Sequence, residues 1–305
     1  MKFSLSKFVW FDGKFIPLEK AKVPVTTHAI QYGTTIFEGI RGYWDSKNLY
    51  IFRLDDHIKR FRKSGRFYSI SLNFTNAQIK EATIGLCKKN KLKRSCYLRP
   101  FYFVGDYGIN LHVTKKAPTH VVIYSFPFGD LFNKNGIKAC VTSWRKFSDA
   151  STPTQAKMGG NYLNSIIATQ ECKRKGFDEA VLLDLKGNVS EAPGENIFLI
   201  KDGKVITPPI SSSALEGITR DSIFKLAQDL GYKIAIRKIP KSELYEADEM
   251  FLSGTAAEIT PIIQIDKKKI GTGKLGKVTK NLMSAYSEVV MNKNKKYSHW
   301  LTEVY

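Results

Sequence analysis

Acidic residues are scarce in this chain: 28 Asp and Glu stand against 48 Lys and Arg in 305 residues, a formal charge of +20. Cysteine is scarcer still. The four residues Cys87, Cys96, Cys140 and Cys172 contain no CxxC pair, which argues against a zinc site or a redox motif and fits reduced thiols in a cytoplasmic protein. No apolar run approaches the roughly eighteen residues of a membrane span. The opening MKFSLSKFVWFDGKF lacks an apolar stretch followed by small residues, so no signal peptide is expected. Repeats and low-complexity tracts are missing. With 43% hydrophobic and 25% charged residues, disorder as the main character is excluded. A chain of this length buries a sizeable core without help from disulfides or metals, and it is long enough for two domains or one large α/β unit.

The excess of positive charge makes nucleic acid an obvious partner to consider, but the lysines are scattered. Lys88, Lys89, Lys91, Lys93 and Arg94 cluster near one helix end, and 266–296 holds nine lysines against two acids. Both lie in loops and at helix ends rather than in one stripe with interleaved aromatic residues, and no nucleic-acid-binding motif accompanies them. A solvated basic surface is expected, with no nucleic acid and no membrane as partner.

The patterning predicts α+β rather than a regular βαβ array. FVWFDGKFIP reads as a hairpin turning at Asp12-Gly13, NLYIFR as a strand, and the first 53 residues as β-rich. Helices are expected at 54–69 and at 75–90, the latter opened by a capping box of Thr75 and Gln78. CYLRPFYFV and HVVIYSFPF read as strands, and the polar stretch 129–136 as a linker. Beyond it come KACVTSW (strand), a helix at 161–175, EAVLLDL, the hairpin NIFLIKDGKVITP, a helix at 219–230 stopped by Gly231, YKIAIRKIP, EMFLSGT and a last helix from Lys277. The run Gly271-Thr-Gly-Lys-Leu-Gly276 matches GxGxxG, but DKKKI precedes it and Lys occupies position 296. It lacks the buried strand and the distant acid of a dinucleotide site, and reads as a turn.

Chemistry is expected around Lys157, the only charged residue in the 21-residue stretch ASTPTQAKMGGNYLNSIIATQ. An amine set among apolar and small residues is desolvated, which favours the neutral nucleophile that a Schiff base needs. A lysine snorkelling from a helix start would look the same, so three further features matter. Glu191 lies at a strand end in the turn-forming run SEAPGEN. Gly217-Ile218-Thr219 opens a helix whose free N–H groups suit a phosphate, although Thr is also an ordinary N-cap. Ser253-Gly254-Thr255-Ala256-Ala257 ends a strand in small residues that could cradle an anion. Together these give an amine, an acid for a pyridinium nitrogen and two anion cradles, the inventory of a pyridoxal phosphate (PLP) site.

Seven ordered segments between 28 and 261 carry a resemblance: HAIQYGTTIFEGIRGY, FRLDDHIKRF, YLRPFYFVGDYG, AKMGGNYLNS, SEAPGENIF, ALEGITRDSI and LSGTAAEITP. In them the chain resembles the branched-chain amino acid aminotransferases, class IV (fold-type IV) PLP enzymes. The resemblance implies a smaller N-terminal α+β domain (1–128), an interdomain loop (129–136) and a larger C-terminal pseudo-barrel domain (137–305). It implies transfer of the amino group of L-leucine, L-isoleucine or L-valine to 2-oxoglutarate. Lys157 would form the Schiff base and move the substrate proton, Glu191 would face the pyridine nitrogen, and Tyr162 would hydrogen-bond the cofactor's phenolate. Arg60, Gly217, Ile218, Thr219 and Thr255 would hold the phosphate. Thr255, Ala256 and Ala257 would take the substrate carboxylate, helped by Tyr97, Gly39 would also bind substrate, and Arg99 would take the distal carboxylate of glutamate. Phe37, Tyr32, Leu111 and Phe128 would line the side-chain pocket, with Tyr32 and Leu111 reaching it from a neighbouring subunit. A homodimer, alone or as part of a hexamer, is therefore implied. Phe128 and Leu131 stand where bacterial members often carry Trp and Tyr, which bears on the ranking of substrates. The related D-amino acid aminotransferases carry Arg-x-His where this chain reads Arg99-Pro100-Phe101. An aminodeoxychorismate lyase, of the same superfamily, and a basic polyanion-binding protein are the remaining rival functions.

Overall fold

The computed structural model describes residues 5–305, which divide into two compact units. The first holds the described residues up to Gly129, together with Ala156–Gly160 and Glu288–Tyr305, and the second holds Asp130–Gln155 and Asn161–Ser287.

The first unit begins with the hairpin of β1 (Phe8–Phe11) and β2 (Lys14–Pro17). Asp12 and Gly13 both take positive φ, 44° and 91°, the backbone that a two-residue turn between twisted strands requires. Helix α1 (His28–Tyr32) precedes β3 (Thr35–Phe37), β4 (Ile40–Trp44) and β5 (Leu49–Phe52). The helix departs from the β-rich expectation because five residues are too few to display a helical period. Helix α2 (Leu54–Arg66) buries His57, Ile58, Phe61 and Ser64. Helix α3 (Asn76–Lys89) starts at the expected capping box: Thr75 Oγ1 accepts from the Gln78 N–H, and Gln78 Oε1 accepts from the Thr75 N–H. Strands β6 (Cys96–Val104) and β7 (Thr119–Pro127) then pair antiparallel along their full length. Ile36, Phe61, Leu86, Leu98, Tyr102 and Met158 share one core.

In the second unit β8 (Ile137–Arg145) leads to α4 (Tyr162–Arg174) and β9 (Glu179–Leu183). The hairpin of β10 (Asn196–Lys201) and β11 (Lys204–Thr207) follows, then α5 (Ile218–Asp229) and β12 (Ile234–Ile236). Next come β13 (Glu249–Gly254), β14 (Glu258–Ile265) and β15 (Lys268–Lys269). The sheet runs β12-β11-β10-β13-β14-β8-β9, with β15 on β14. Strand β8 is parallel to both its neighbours, whereas β10, β13 and β14 are antiparallel. Val181, Leu199, Leu252 and Ile262 lie in its core. The glycine run 271–276 is a turn before α6 (Lys277–Val290).

Two features depart from the sequence reading. Cys140 on β8 and Cys172 on α4 form a disulfide, their Cα atoms 6.1 Å apart, while Cys87 and Cys96 are free and buried. The reduced-thiol expectation thus fails for one pair, because strand and helix pack side by side and bring together residues 32 positions apart. The C-terminal tail also leaves the 137–305 grouping. Strand β16 (Leu301–Glu303) pairs antiparallel with β5, and Val304 enters the first unit's core. The first sheet is therefore β16-β5-β4-β6-β7-β1-β2, with β3 on β6. Two sheets, mostly antiparallel, with helices packed on them make an α+β protein. Among the described residues no helix is long and apolar enough to cross a membrane.

Candidate active site

The candidate residues divide between the two units. In the first, Ala156–Gly160 is held at both backbone groups of Lys157: its N–H donates to Ser64 Oγ (3.0 Å) and its C=O accepts from the Phe37 N–H (3.2 Å). Met158 bridges to Ile36 on β3. The Lys157 amine lies 5.1 Å from the Phe37 ring centroid. Burial, reinforced by the Arg60 guanidinium, pushes this amine down to about 8. A substantial neutral fraction then exists near neutral pH, which a solvated lysine lacks.

Arg60 on α2 makes a fork with Glu38, its Nε 2.7 Å from Oε1 and its Nη2 2.8 Å from Oε2. His57 Nδ1 lies 2.8 Å from the same Oε2. Burial alone would raise the Glu38 carboxyl, but Arg60 and His57 hold it well below the usual carboxylate range. Burial pushes His57 down, so its imidazole is neutral near pH 7. The ionised carboxylate can only accept, and the imidazole proton therefore sits on Nδ1. The sequence pattern does not mark Glu38 or His57, although both lie inside the segments that carry the family resemblance. Their partners are 22 and 19 residues away, beyond any local pattern.

A second cluster in this unit is aromatic and cationic. Arg99 and Tyr97 share one face of β6, with Arg99 Nη2 donating to the Tyr97 hydroxyl at 3.3 Å. The Arg99 guanidinium lies 4.7 Å from the Phe37 ring centroid. Tyr97 packs on Phe128 at 5.2 Å, and Arg41 lies over Phe128 at 5.1 Å. Gly39 is required by space: a Cβ there would come within 1.8 Å of the Tyr97 hydroxyl. Phe37, Gly39, Tyr97, Arg99 and Phe128 are thus brought together. Tyr32 and Leu111 lie on the surface, 40% and 76% exposed, with the Tyr32 hydroxyl donating to the Ile109 carbonyl.

In the second unit Glu191 is buried between β9 and β10. Its carboxylate is 2.7 Å from the Lys146 amine and accepts from Asn196 Nδ2 (3.2 Å) and the Leu215 N–H (2.9 Å). Lys146 is a partner of Glu191 that the sequence reading missed, one basic residue among many on a strand end. Asn196 Nδ2 also donates to the Leu215 carbonyl, and a Cβ on Gly217 would lie 2.0 Å from Asn196 Oδ1. Gln155 donates to the Ala214 carbonyl and accepts from the Glu216 N–H. The approach to α5 is therefore fixed by side chains on both sides. The N-cap is Gly217, with no side-chain cap bond, rather than Thr219; the helix start keeps the positive end that attracts an anion. Asn196 pairs with Ser253 on β13, and Thr255, Ala256 and Ala257 form the turn beyond that strand, closed by Thr260 Oγ1 donating to the Ala257 carbonyl. Tyr162 is the first residue of α4, and Ser165 one turn later ties this helix to the Pro193 carbonyl.

A shifted amine, a buried anion and an anion-attracting helix start suit an aldehyde, a protonated heteroaromatic nitrogen and a phosphate respectively. The chain matches the amino-transferase class IV family over residues 35–265. The branched-chain-amino-acid aminotransferase of Salmonella typhimurium is 41% identical over 301 residues, covering 97% of each chain. Among solved structures, a branched-chain aminotransferase from Thermoproteus uzoniensis with norvaline superimposes with a TM-score of 0.95 at 40% identity, covering 98% of this chain and 100% of that one. The branched-chain amino acid aminotransferase from Thermobaculum terrenum in its PLP-form gives 0.94 at 36% identity, covering 99% of each chain.

Proposed function

The chain belongs to the class IV aminotransferases, and we propose that it transfers the amino group of L-leucine, L-isoleucine or L-valine reversibly to 2-oxoglutarate. PLP is its cofactor; when bound, it supplies an aldehyde for the amino group and a pyridine ring that draws electrons from the substrate α-carbon. The amine of Lys157, its charge made costly by burial, would hold the aldehyde until the substrate amine displaces it, and once freed would take up and return the α-carbon proton. Glu191, held in place by Lys146, Asn196 and the Leu215 N–H, would face the pyridine nitrogen and keep a proton on it, while Tyr162 would orient the ring through the cofactor's phenolate oxygen. Arg60, Gly217, Ile218, Thr219 and Thr255 bind the phosphate. Thr255, Ala256 and Ala257 bind the substrate carboxylate, helped by Tyr97, and Gly39 leaves room for the Tyr97 hydroxyl. Tyr32 and Leu111 serve the side-chain pocket of a second copy in a homodimer, a role supported by their exposure.

One observation carries the substrate assignment, the Arg99 guanidinium packed against Phe37 and Tyr97. Phe37 and Phe128 favour an aliphatic side chain by burial, roughly 0.8 kcal/mol per CH₂. They offer no partner to a second carboxylate, and Arg99 does. Arg99→Ala should therefore cut the half-reaction with glutamate or 2-oxoglutarate about 100-fold, while cofactor amination by leucine changes less than about threefold. Stopped-flow measurement of each half-reaction decides it; equal losses would remove Arg99 from the distal-carboxylate role.

A further inference from the structure

We propose that Glu38 is a positioning residue that aims the Arg60 guanidinium at the cofactor phosphate, with His57 fixing Glu38 in turn. The proposal rests on the assignment of Arg60 to the phosphate. It is carried by the placement of three α2 residues on one helix face. His57, Arg60 and Ser64 are three and four residues apart, which stacks them along that face. Ser64 accepts from the Lys157 N–H, so this face also seats the nucleophile's backbone. Arg60 is set from the β3–β4 connection by Glu38, through its Nε–Nη2 edge.

That fork defines both the plane and the direction of the guanidinium, which a single hydrogen bond would not. Glu38 is itself completely buried. Its N–H donates to the Pro100 carbonyl on β6, so its backbone cannot drift. His57, also buried, supplies the third donor to the carboxylate. The Arg60 guanidinium lies close enough to Lys157 to push its amine down, and Glu38, between β3 and β4, is the anion that offsets it. An arginine held this way meets a phosphate without first losing the rotamer freedom of a long side chain.

The test compares equilibrium binding of PLP and of phosphate-free pyridoxal to the full-length chain, followed by tryptophan fluorescence. Glu38→Gln keeps the shape but removes the charge and turns an NH₂ toward donors. It should weaken PLP about 10- to 100-fold and pyridoxal less than about twofold. In an Arg60→Met background the same change should alter PLP binding less than about twofold, because there is no guanidinium left to aim. His57→Phe, a gentler variant should Glu38→Gln fold poorly, should weaken PLP by about 3- to 10-fold with pyridoxal again unaffected. Equal losses for PLP and pyridoxal, or an undiminished Glu38→Gln effect in the Arg60→Met background, would assign Glu38 a merely structural role and overturn the proposal. If Arg60→Met itself leaves the preference for PLP over pyridoxal intact, the phosphate assignment fails first and the proposal with it. If Arg60→Met abolishes that preference and Glu38→Gln preserves it, only the positioning role falls.

Discussion

Two lysines eleven positions apart, Lys146 in the second unit and Lys157 in the first, put the same ammonium group to opposite uses. Lys146 meets Glu191 at 2.7 Å and serves as a fixed cation beside a buried anion. Lys157 sits among Phe37, Arg60 and Glu38, where burial and a neighbouring guanidinium push its amine down to about 8. The first unit thus makes an amine's charge costly by burial, and the second surrounds a carboxylate with donors. Identical side-chain chemistry diverges because one lysine is matched by a carboxylate within hydrogen-bond reach while the other is buried beside a guanidinium.

The largest test of this contrast is at Lys157. Lys157→Ala should lower turnover with leucine and 2-oxoglutarate by at least about 10⁴-fold, since the proposed nucleophile and proton carrier are one group. Lys157→Arg should be as damaging, because a guanidinium keeps the charge and cannot give up its proton. The wild-type amine also fixes a pH signature. Only the neutral form reacts, so PLP capture by the apoprotein should rise about tenfold per pH unit below the shifted value and level off above about 8. An ordinary lysine would keep accelerating beyond pH 10. Stopped-flow absorbance across pH 6–10 separates the two, and a rate still climbing at pH 10 would mean Lys157 is not desolvated as described.

Glu191→Gln comes next. The amide keeps the shape but leaves Lys146 without its anion and holds no proton on a ring nitrogen by charge. Turnover at saturating PLP should fall by one to two decades, the rough equivalent of about 1.5–3 kcal/mol for a charged hydrogen bond. Turnover equal to wild type would exclude Glu191 from the role assigned to it.

The difference between the two lysines also marks how far the sequence could be read. Lys157 stands out because no other charge occurs between Asp149 and Glu171; its isolation is a one-dimensional feature. The Asp12-Gly13 turn and the Thr75–Gln78 capping box are equally local, and both occur as expected. Lys146 carries no such mark, since its partner is as distant in sequence as Glu191 and lysine abounds on this chain's surface. The same holds for Glu38, for the Cys140–Cys172 bond and for β16, whose pairing joins Leu301 to Phe52. A hydrophobic period announces a helix or strand, but not which distant strand it will join. Seven matching segments in order made the family legible where individual contacts were not.

The smallest expected effect is at Lys146, and it sharpens the contrast most directly. Lys146→Met removes one of the contacts to Glu191 but leaves those of Asn196 Nδ2 and the Leu215 N–H. The carboxylate thus stays in place with part of its support gone. Because two of the three contacts to the carboxylate remain, turnover should fall only about 3- to 10-fold, less than in Glu191→Gln. Lys146→Arg should recover most of that loss, because Glu191 asks only for a cation with a donor at that distance. Arginine is therefore tolerated at 146 and not at 157, although both positions hold lysine. Steady-state turnover of the four variants under one set of conditions makes the comparison. If Lys146→Arg proves as inactive as Lys157→Arg, Lys146 must give up a proton during turnover, and the division between a fixed cation and a titrating amine would have to be redrawn.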